Sequence, residues 1–117
     1  MLSFAIDLDG VIGTNPDFFK WFTFILHKNG HWIDIVSSRN PKRIVETEEE
    51  LKHWGITYNN VHHMYPSMPR DFKTQAKWKL DTINRLGTDI WMDNEFKIYE
   101  KLCNVDFSKC KAERITI

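Results

Sequence analysis

At 117 residues the chain has room for one domain and excludes a second. A content of 42% hydrophobic and 14% aromatic residues supplies a core and excludes a disordered tail, while two cysteines exclude a disulfide-built scaffold. Sixteen Lys and Arg balance sixteen Asp and Glu, so no global field draws the protein to nucleic acid or an anionic membrane, and any such partner needs a local patch.

Strand and helix signals alternate along the chain. Residues 2–7 form a short apolar run of strand type. Asn15-Pro16 then gives an N-cap followed by proline at the first helical position, and the helix is predicted to reach about Asn29, with Gly30 as its stop. Residues 32–36 read as a second strand. Asn40-Pro41 repeats the helix-start device, and Gly55 ends that helix. A third strand is expected at Val61–Tyr65, followed by a Pro-Ser-Met-Pro loop. Asp71 caps a helix from Phe72 to Leu86, closed by Gly87. Residues 89–93 read as a fourth strand, 94–102 as a short helix and 114–117 as a fifth, edge strand. Strands separated by helices imply right-handed βαβ units, and hence a three-layer αβα domain over 1–117 with a parallel sheet of about five strands.

Two smaller expectations accompany this outline. Cys103 and Cys110 read as free thiols. The start of the chain lacks the basic region and long apolar run of a signal peptide, and no stretch approaches the length of a membrane span, so the chain reads as soluble and cytoplasmic.

In open parallel α/β sheets, ligands bind beyond the carboxyl ends of the strands. Here those ends carry Asp7-Leu8-Asp9-Gly10, Ser37-Ser38-Arg39 and Asp93-Asn94-Glu95, and Lys73 opens the helix before the fourth strand. Asp7 and Asp9 are two residues apart, so in an extended segment their side chains leave the same face. Two such carboxylates repel unless a proton or a cation intervenes, and a hard ion such as Mg²⁺ resolves the conflict. Taken alone, an Asp-x-Asp-Gly string is as well explained by a capping Asp beside a turn Asp.

The segment Phe4-Ala5-Ile6-Asp7-Leu8-Asp9-Gly10-Val11-Ile12 resembles the first motif of the haloacid dehalogenase superfamily. Ser37, Lys73 and Asp93 follow in that superfamily's order. The resemblance spans nearly the whole chain and implies a capless phosphatase that hydrolyses phosphomonoesters through an aspartyl-phosphate. On that basis Asp7 is the nucleophile, and Asp9 protonates the leaving oxygen and then activates water. Ser37 holds the phosphoryl oxygens, Lys73 stabilises phosphoryl group and nucleophile, and Asp93 binds Mg²⁺ with Asp7 and the Asp9 carbonyl. Such chemistry needs positioning and charge neutralisation more than anything else.

Three lysines share one helix. Lys77 and Lys79 read as solvated-face residues, whereas Lys73 lies in the first turn, where a cation is disfavoured unless an anion binds there, and 20 residues before Asp93. Lys73 is therefore the expected catalytic lysine. Arg39 either pairs with Glu46 on the surface or contacts phosphate, and Ser38 is either a strand-end cap or a ligand. Asn94 departs from the paired acids often seen in the fourth motif of the superfamily; it can orient a metal-bound water, or Glu95 can substitute. His62 and His63, being adjacent on a strand, point to opposite faces and do not suit one metal. Phe18, Phe19, Trp21, Phe22, Phe24 and Trp32 are expected in the core.

No stretch between Gly13 and Ser37, or between Ser37 and Lys73, is long enough for a cap domain. An open site suits a macromolecular end, or a substrate screened by homo-oligomerisation. A narrower resemblance, to the phosphatase domain of polynucleotide kinase-phosphatases, rests on Ser37-Ser38-Arg39, the helix end around Leu51, and Phe72-Lys73 with Trp78-Lys79. It implies nucleic-acid 3′-phosphate ends or nucleotides as substrate, with Arg39, Lys42, Arg43, Arg70, Lys73, Lys77 and Lys79 as a basic rim. A sugar-phosphate phosphatase and a non-catalytic binding or assembly module are the alternatives.

Overall fold

A computed structural model describes residues 1–117. Five strands, β1 (Ser3–Asp7), β2 (Trp32–Ser37), β3 (Asn60–His63), β4 (Ile90–Asp93) and β5 (Glu113–Thr116), form one all-parallel sheet in the order β3-β2-β1-β4-β5. Helices α1 (Pro16–Lys28), α2 (Ile44–Trp54), α3 (Phe72–Leu86) and α4 (Phe96–Leu102) make the crossovers. The architecture is a three-layer αβα domain. No helix is long and apolar enough to cross a membrane.

The helix starts follow their capping residues. The Asn15 side chain accepts from the Phe18 N–H, with Pro16 at the first helical position. Asp71 accepts from the Thr74 N–H and opens α3. Asn40-Pro41 differs from expectation: it starts a 3-10 turn over Pro41–Arg43, and the α-helix proper begins at Ile44. The β5 strand lies one residue earlier than predicted, and α4 begins at Phe96 rather than at Asn94.

Strand periodicity sorts the core into two halves. Phe4 and Ile6 pack with Ile33, Ile35 and Met92 against Phe19 and Leu26 of α1 and Leu51 of α2. Ala5, Val36 and Trp91 pack on the other face with Ala76, Leu80 and Ile83 of α3 and Phe96 and Tyr99 of α4. Two residues on from Ala5 and Trp91, the side chains of Asp7 and Asp93 therefore emerge toward α3 and α4. The strand order also reverses between β1 and β4, which puts these two carboxylates at the switch point where such sheets bind ligands.

The aromatic expectation is corrected in part. Phe19 is buried and Phe22 half-buried, but Phe18, Trp21, Phe24 and Trp32 are exposed. A helix covering one face of a sheet buries only one stripe, and in α1 that stripe is Phe19, Thr23 and Leu26. Cys103 and Cys110 are free thiols.

Candidate active site

Three charged side chains meet at the carboxyl end of β1 and β4. The Lys79 Nζ donates to Asp7 Oδ1 at 3.0 Å, to Asp93 Oδ2 at 3.2 Å and to the Tyr99 hydroxyl at 2.9 Å. The three donors of the ammonium are thereby all engaged. The Tyr99 hydroxyl in turn lies 3.3 Å from Asp93 Oδ2, and the Glu95 N–H donates to Asp93 Oδ1 at 3.0 Å. Asp7, Lys79, Asp93 and Tyr99 are all buried.

The position of Lys79 overturns the expectation for Lys73. Lys73 is exposed in the first turn of α3 and lines a surface groove with Lys77, Asp81 and Lys109, without an ion pair. Lys79, expected on the solvated face, sits between Ala76, Leu80 and Ile83 on the buried stripe. Spacing in the sequence carried that signal: 76, 79, 80 and 83 follow the i, i+3, i+4, i+7 rule of one helix face. A lysine inside an apolar stripe needs an anionic partner, which the strand ends supply. Tyr99 is a second site residue that the sequence reading passed over. Its signal was weaker, since an aromatic in a short helix is first read as core.

The cluster carries two carboxylates and one ammonium, leaving one negative charge buried without a counter-charge if both acids ionise. Burial drives the Asp7 carboxyl up to about 7; Lys79 opposes that rise and the neighbouring Asp93 adds to it. Burial pulls the Lys79 ammonium toward the neutral form, but the attraction of Asp7 and Asp93 outweighs it and holds the group firmly protonated. Burial and the adjacent Asp93 also push the Tyr99 phenol upward, so it remains a neutral hydroxyl.

Asp9 points elsewhere. Its side chain is 61% exposed and is gripped by Arg39 through two parallel hydrogen bonds of 2.8 Å, from Nε and Nη2. Arg39 Nη1 reaches Thr47 Oγ1 at 3.3 Å and also pairs with Glu50. The Arg39–Glu46 pair, one of the two alternatives for Arg39, does not form, and Glu46 pairs with Arg43. Every guanidinium nitrogen of Arg39 is thus bound within the protein. Ser37 is buried, and its hydroxyl accepts from the Arg39 N–H at 3.2 Å. The Ser38 carbonyl accepts from the Arg70 guanidinium. The basic rim is accordingly smaller than expected: Arg39 and Lys79 are buried and Arg43 is paired, which leaves Lys42, Arg70, Lys73 and Lys77.

No group of three or more His, Cys, Asp or Glu side chains is disposed to hold a metal ion. The Asp9 carboxylate, turned to Arg39, is not gathered with Asp7 and Asp93. The oxygens present are the two buried carboxylates of Asp7 and Asp93, both already accepting from Lys79, and two residues on from Asp7 the Asp9 carbonyl, which accepts no backbone hydrogen bond, whereas the Leu8 carbonyl is taken by the Gly13 N–H. An all-oxygen set with few protein ligands and uncompensated negative charge fits Mg²⁺ better than zinc. Gly10, with φ +83°, shapes this turn, and a Cβ there would lie 2.4 Å from Asn94 Nδ2. Asn94 is thereby packed against the Asp9–Gly10 turn. His62 donates or accepts at 2.8 Å with the buried Asp34, and both His62 and His63 line a separate cavity of about 370 Å³ beside α3.

No protein-family model matches the chain, and no curated protein matches it.

Proposed function

We propose that the chain is a magnesium-dependent phosphomonoesterase of the haloacid dehalogenase type, with Asp7 as covalent nucleophile. The observation that carries this reading is the buried Asp7–Lys79–Asp93 cluster at the point where the strand order reverses. In the first step an Asp7 carboxylate oxygen bonds to phosphorus as the bond to the ester oxygen breaks, and Asp9 gives that oxygen its proton. In the second, water attacks the aspartyl-phosphate and passes a proton to Asp9, and Asp7 departs as a carboxylate. Lys79 takes the role expected of Lys73: it orients Asp7 and offsets charge on the phosphoryl oxygens. Mg²⁺, held by Asp7, Asp93 and the Asp9 carbonyl, would supply further charge neutralisation at the phosphoryl group.

Arg39 links two of the expected roles. It ties both Asp9 carboxylate oxygens, whereas the first step needs Asp9 free to give up a proton. A phosphate dianion is a competing bidentate acceptor, so its arrival draws the guanidinium from Asp9 and frees that carboxylate for proton transfer. Ser37 fixes the backbone from which Arg39 makes this exchange. Lys42 and Arg70 lie in the connections that follow the carboxyl ends of β2 and β3, so cations stand at that end of the sheet. That setting favours a substrate with further phosphates, a nucleotide or a nucleic-acid 3′-phosphate end, over a sugar phosphate.

The test is hydrolysis of p-nitrophenyl phosphate with Mg²⁺ by wild type and Asp7→Asn, followed by 3′-phosphorylated oligonucleotides, mononucleotides and sugar phosphates. Turnover that Asp7→Asn abolishes supports the reading. Equal rates from both proteins, or none from either on any substrate, reject it. Oligonucleotide turnover insensitive to salt removes the nucleic-acid assignment alone.

A further inference from the structure

The outer face of α1 is unusually apolar for a solvent-exposed helix. Phe18, Trp21 and Phe24 are 42%, 59% and 53% exposed, and Phe18 stacks on the half-buried Phe22 at 5.6 Å. The buried stripe of the same helix, Phe19, Thr23 and Leu26, already satisfies the sheet. Phe18 packs one side of its ring on Phe19 and Phe22, but the outward faces of the three rings have no partner, and a contiguous patch of this kind marks a contact surface. An apolar groove of about 310 Å³ runs beside it, lined by Asp17, Lys20, Trp21, Phe24, Gly55 and Thr57.

The order of residues on this face identifies the occupant. Asp17, Trp21, Phe24 and Lys28 are all exposed and recur at spacings of four, three and four, which places them in one row along the helix. The row is acidic at its start, aromatic in the middle and basic at its end. Two such helices related by a two-fold axis perpendicular to them run antiparallel, so each residue of the row meets its mirror position about the centre of the row. Trp21 then faces Phe24 of the second copy, and Asp17 faces Lys28 of the second copy, at both ends. On the flanks the two-fold keeps each side of the row with itself, so Phe18 meets Ile25 and Lys20 meets His27 of the second copy. The helix dipoles also oppose favourably.

We propose that the protein forms a two-fold symmetric dimer through α1, with the Asp17–Trp21–Phe24–Lys28 row as its centre. A helix of 13 residues is about 20 Å long, and the three rings expose roughly 300 Å² of aromatic surface per copy. Two copies with the Lys20 and Lys28 stems and the groove wall approach the roughly 1,000 Å² that separates specific contacts from incidental ones. A contact near that lower bound belongs with reversible rather than obligate dimers. The Asp7–Lys79–Asp93 cluster lies across the sheet from α1, so dimerisation leaves it uncovered.

Sedimentation velocity of the full chain between about 1 and about 100 μM tests this. The expected result is a concentration-dependent shift from monomer to dimer, with Trp21→Glu raising the dissociation constant tenfold or more. Asp17→Lys and Lys28→Glu each weaken the dimer by setting like charges opposite one another, and the double variant Asp17→Lys/Lys28→Glu restores it. Restoration separates the paired geometry from a general loss of folding. A monomer at every concentration overturns the proposal, as does a dimer indifferent to Trp21→Glu or a double variant no better than either single one. Binding of the monomer to lipid vesicles through Trp21 would assign the face to a membrane and equally overturn it.

Discussion

Replacing Lys79 by Met removes the one cation from a buried cluster while keeping side-chain volume. At 3.0 and 3.2 Å, each of its two ion pairs carries a gross attraction of about 5 kcal/mol at an effective dielectric near 20. Desolvation offsets most of this in the intact cluster, but removing one partner leaves buried carboxylate charge uncompensated, a loss of about 3 to 5 kcal/mol. The folded variant escapes part of that loss by binding a proton. Protonating an ordinary carboxyl costs about 4 kcal/mol at pH 7 and about 2 kcal/mol at pH 5. Without the Lys79 charge the folded variant binds protons more readily than the folded wild type, and its stability falls more steeply as pH rises. For a domain of this size the expected drop in Tm is roughly 10 to 20 °C at pH 7, shrinking by about half at pH 5. Thermal melts followed by circular dichroism at both pH values, without Mg²⁺, measure it, with Lys73→Met as a reference that shifts by less than about 0.5 kcal/mol. Phosphatase turnover should fall about 10² to 10³-fold in Lys79→Met and change little in Lys73→Met. An unchanged Tm in Lys79→Met, or a gap that widens on acidification, would refute the account of the cluster.

Other expectations concern the same few residues. Asp7, with its folded-state carboxyl pushed up to about 7 from 3.8, holds a proton that the unfolded chain has released, so metal-free stability declines as pH rises between those values. Asp7→Asn should flatten that decline and melt above wild type at pH 8, while Mg²⁺ should raise the wild-type Tm there and leave the variant nearly unmoved; calorimetry with and without chelator decides. Tyr99→Phe deletes the acceptor for the third Lys79 proton and should lower stability by about 1 to 2 kcal/mol in denaturant titration, with a smaller loss of turnover than Lys79→Met. Gly10→Ala forces a Cβ into Asn94 at positive φ, so a loss of about 1 to 3 kcal/mol with reduced turnover is expected. Wild-type melting and kinetics in that variant would show that the turn is not tightly packed.

The architecture was largely legible in the sequence because its signals are local. Asn15-Pro16 and Asp71 start helices, and Gly55 and Gly87 stop them in the left-handed conformation. The apolar runs ending in Asp7 and Asp93 mark strands whether or not their neighbours are known. Even the two-residue alternation that turns Asp7 toward α3 is a property of one strand.

Assigning side chains to partners was another matter. Lys73 and Lys79 have the same chemistry and lie on the same helix, and a first-turn position made Lys73 the attractive choice. The 76/79/80/83 spacing puts residue 79 on the buried stripe, but only the packing of α3 on the sheet aims it at Asp7 and Asp93. Arg39 reads from the sequence as a partner of Glu46 or of phosphate, but the fold gives it Asp9 and Glu50, the former because the loops after β1 and β2 run side by side. Sequence by itself determined the order of strands and helices and the acidic ends of β1 and β4, since backbone preference and periodicity act over a few residues. Tertiary structure alone decided which cation neutralises those acids, because burial and charge pairing depend on distances that close only when the layers pack.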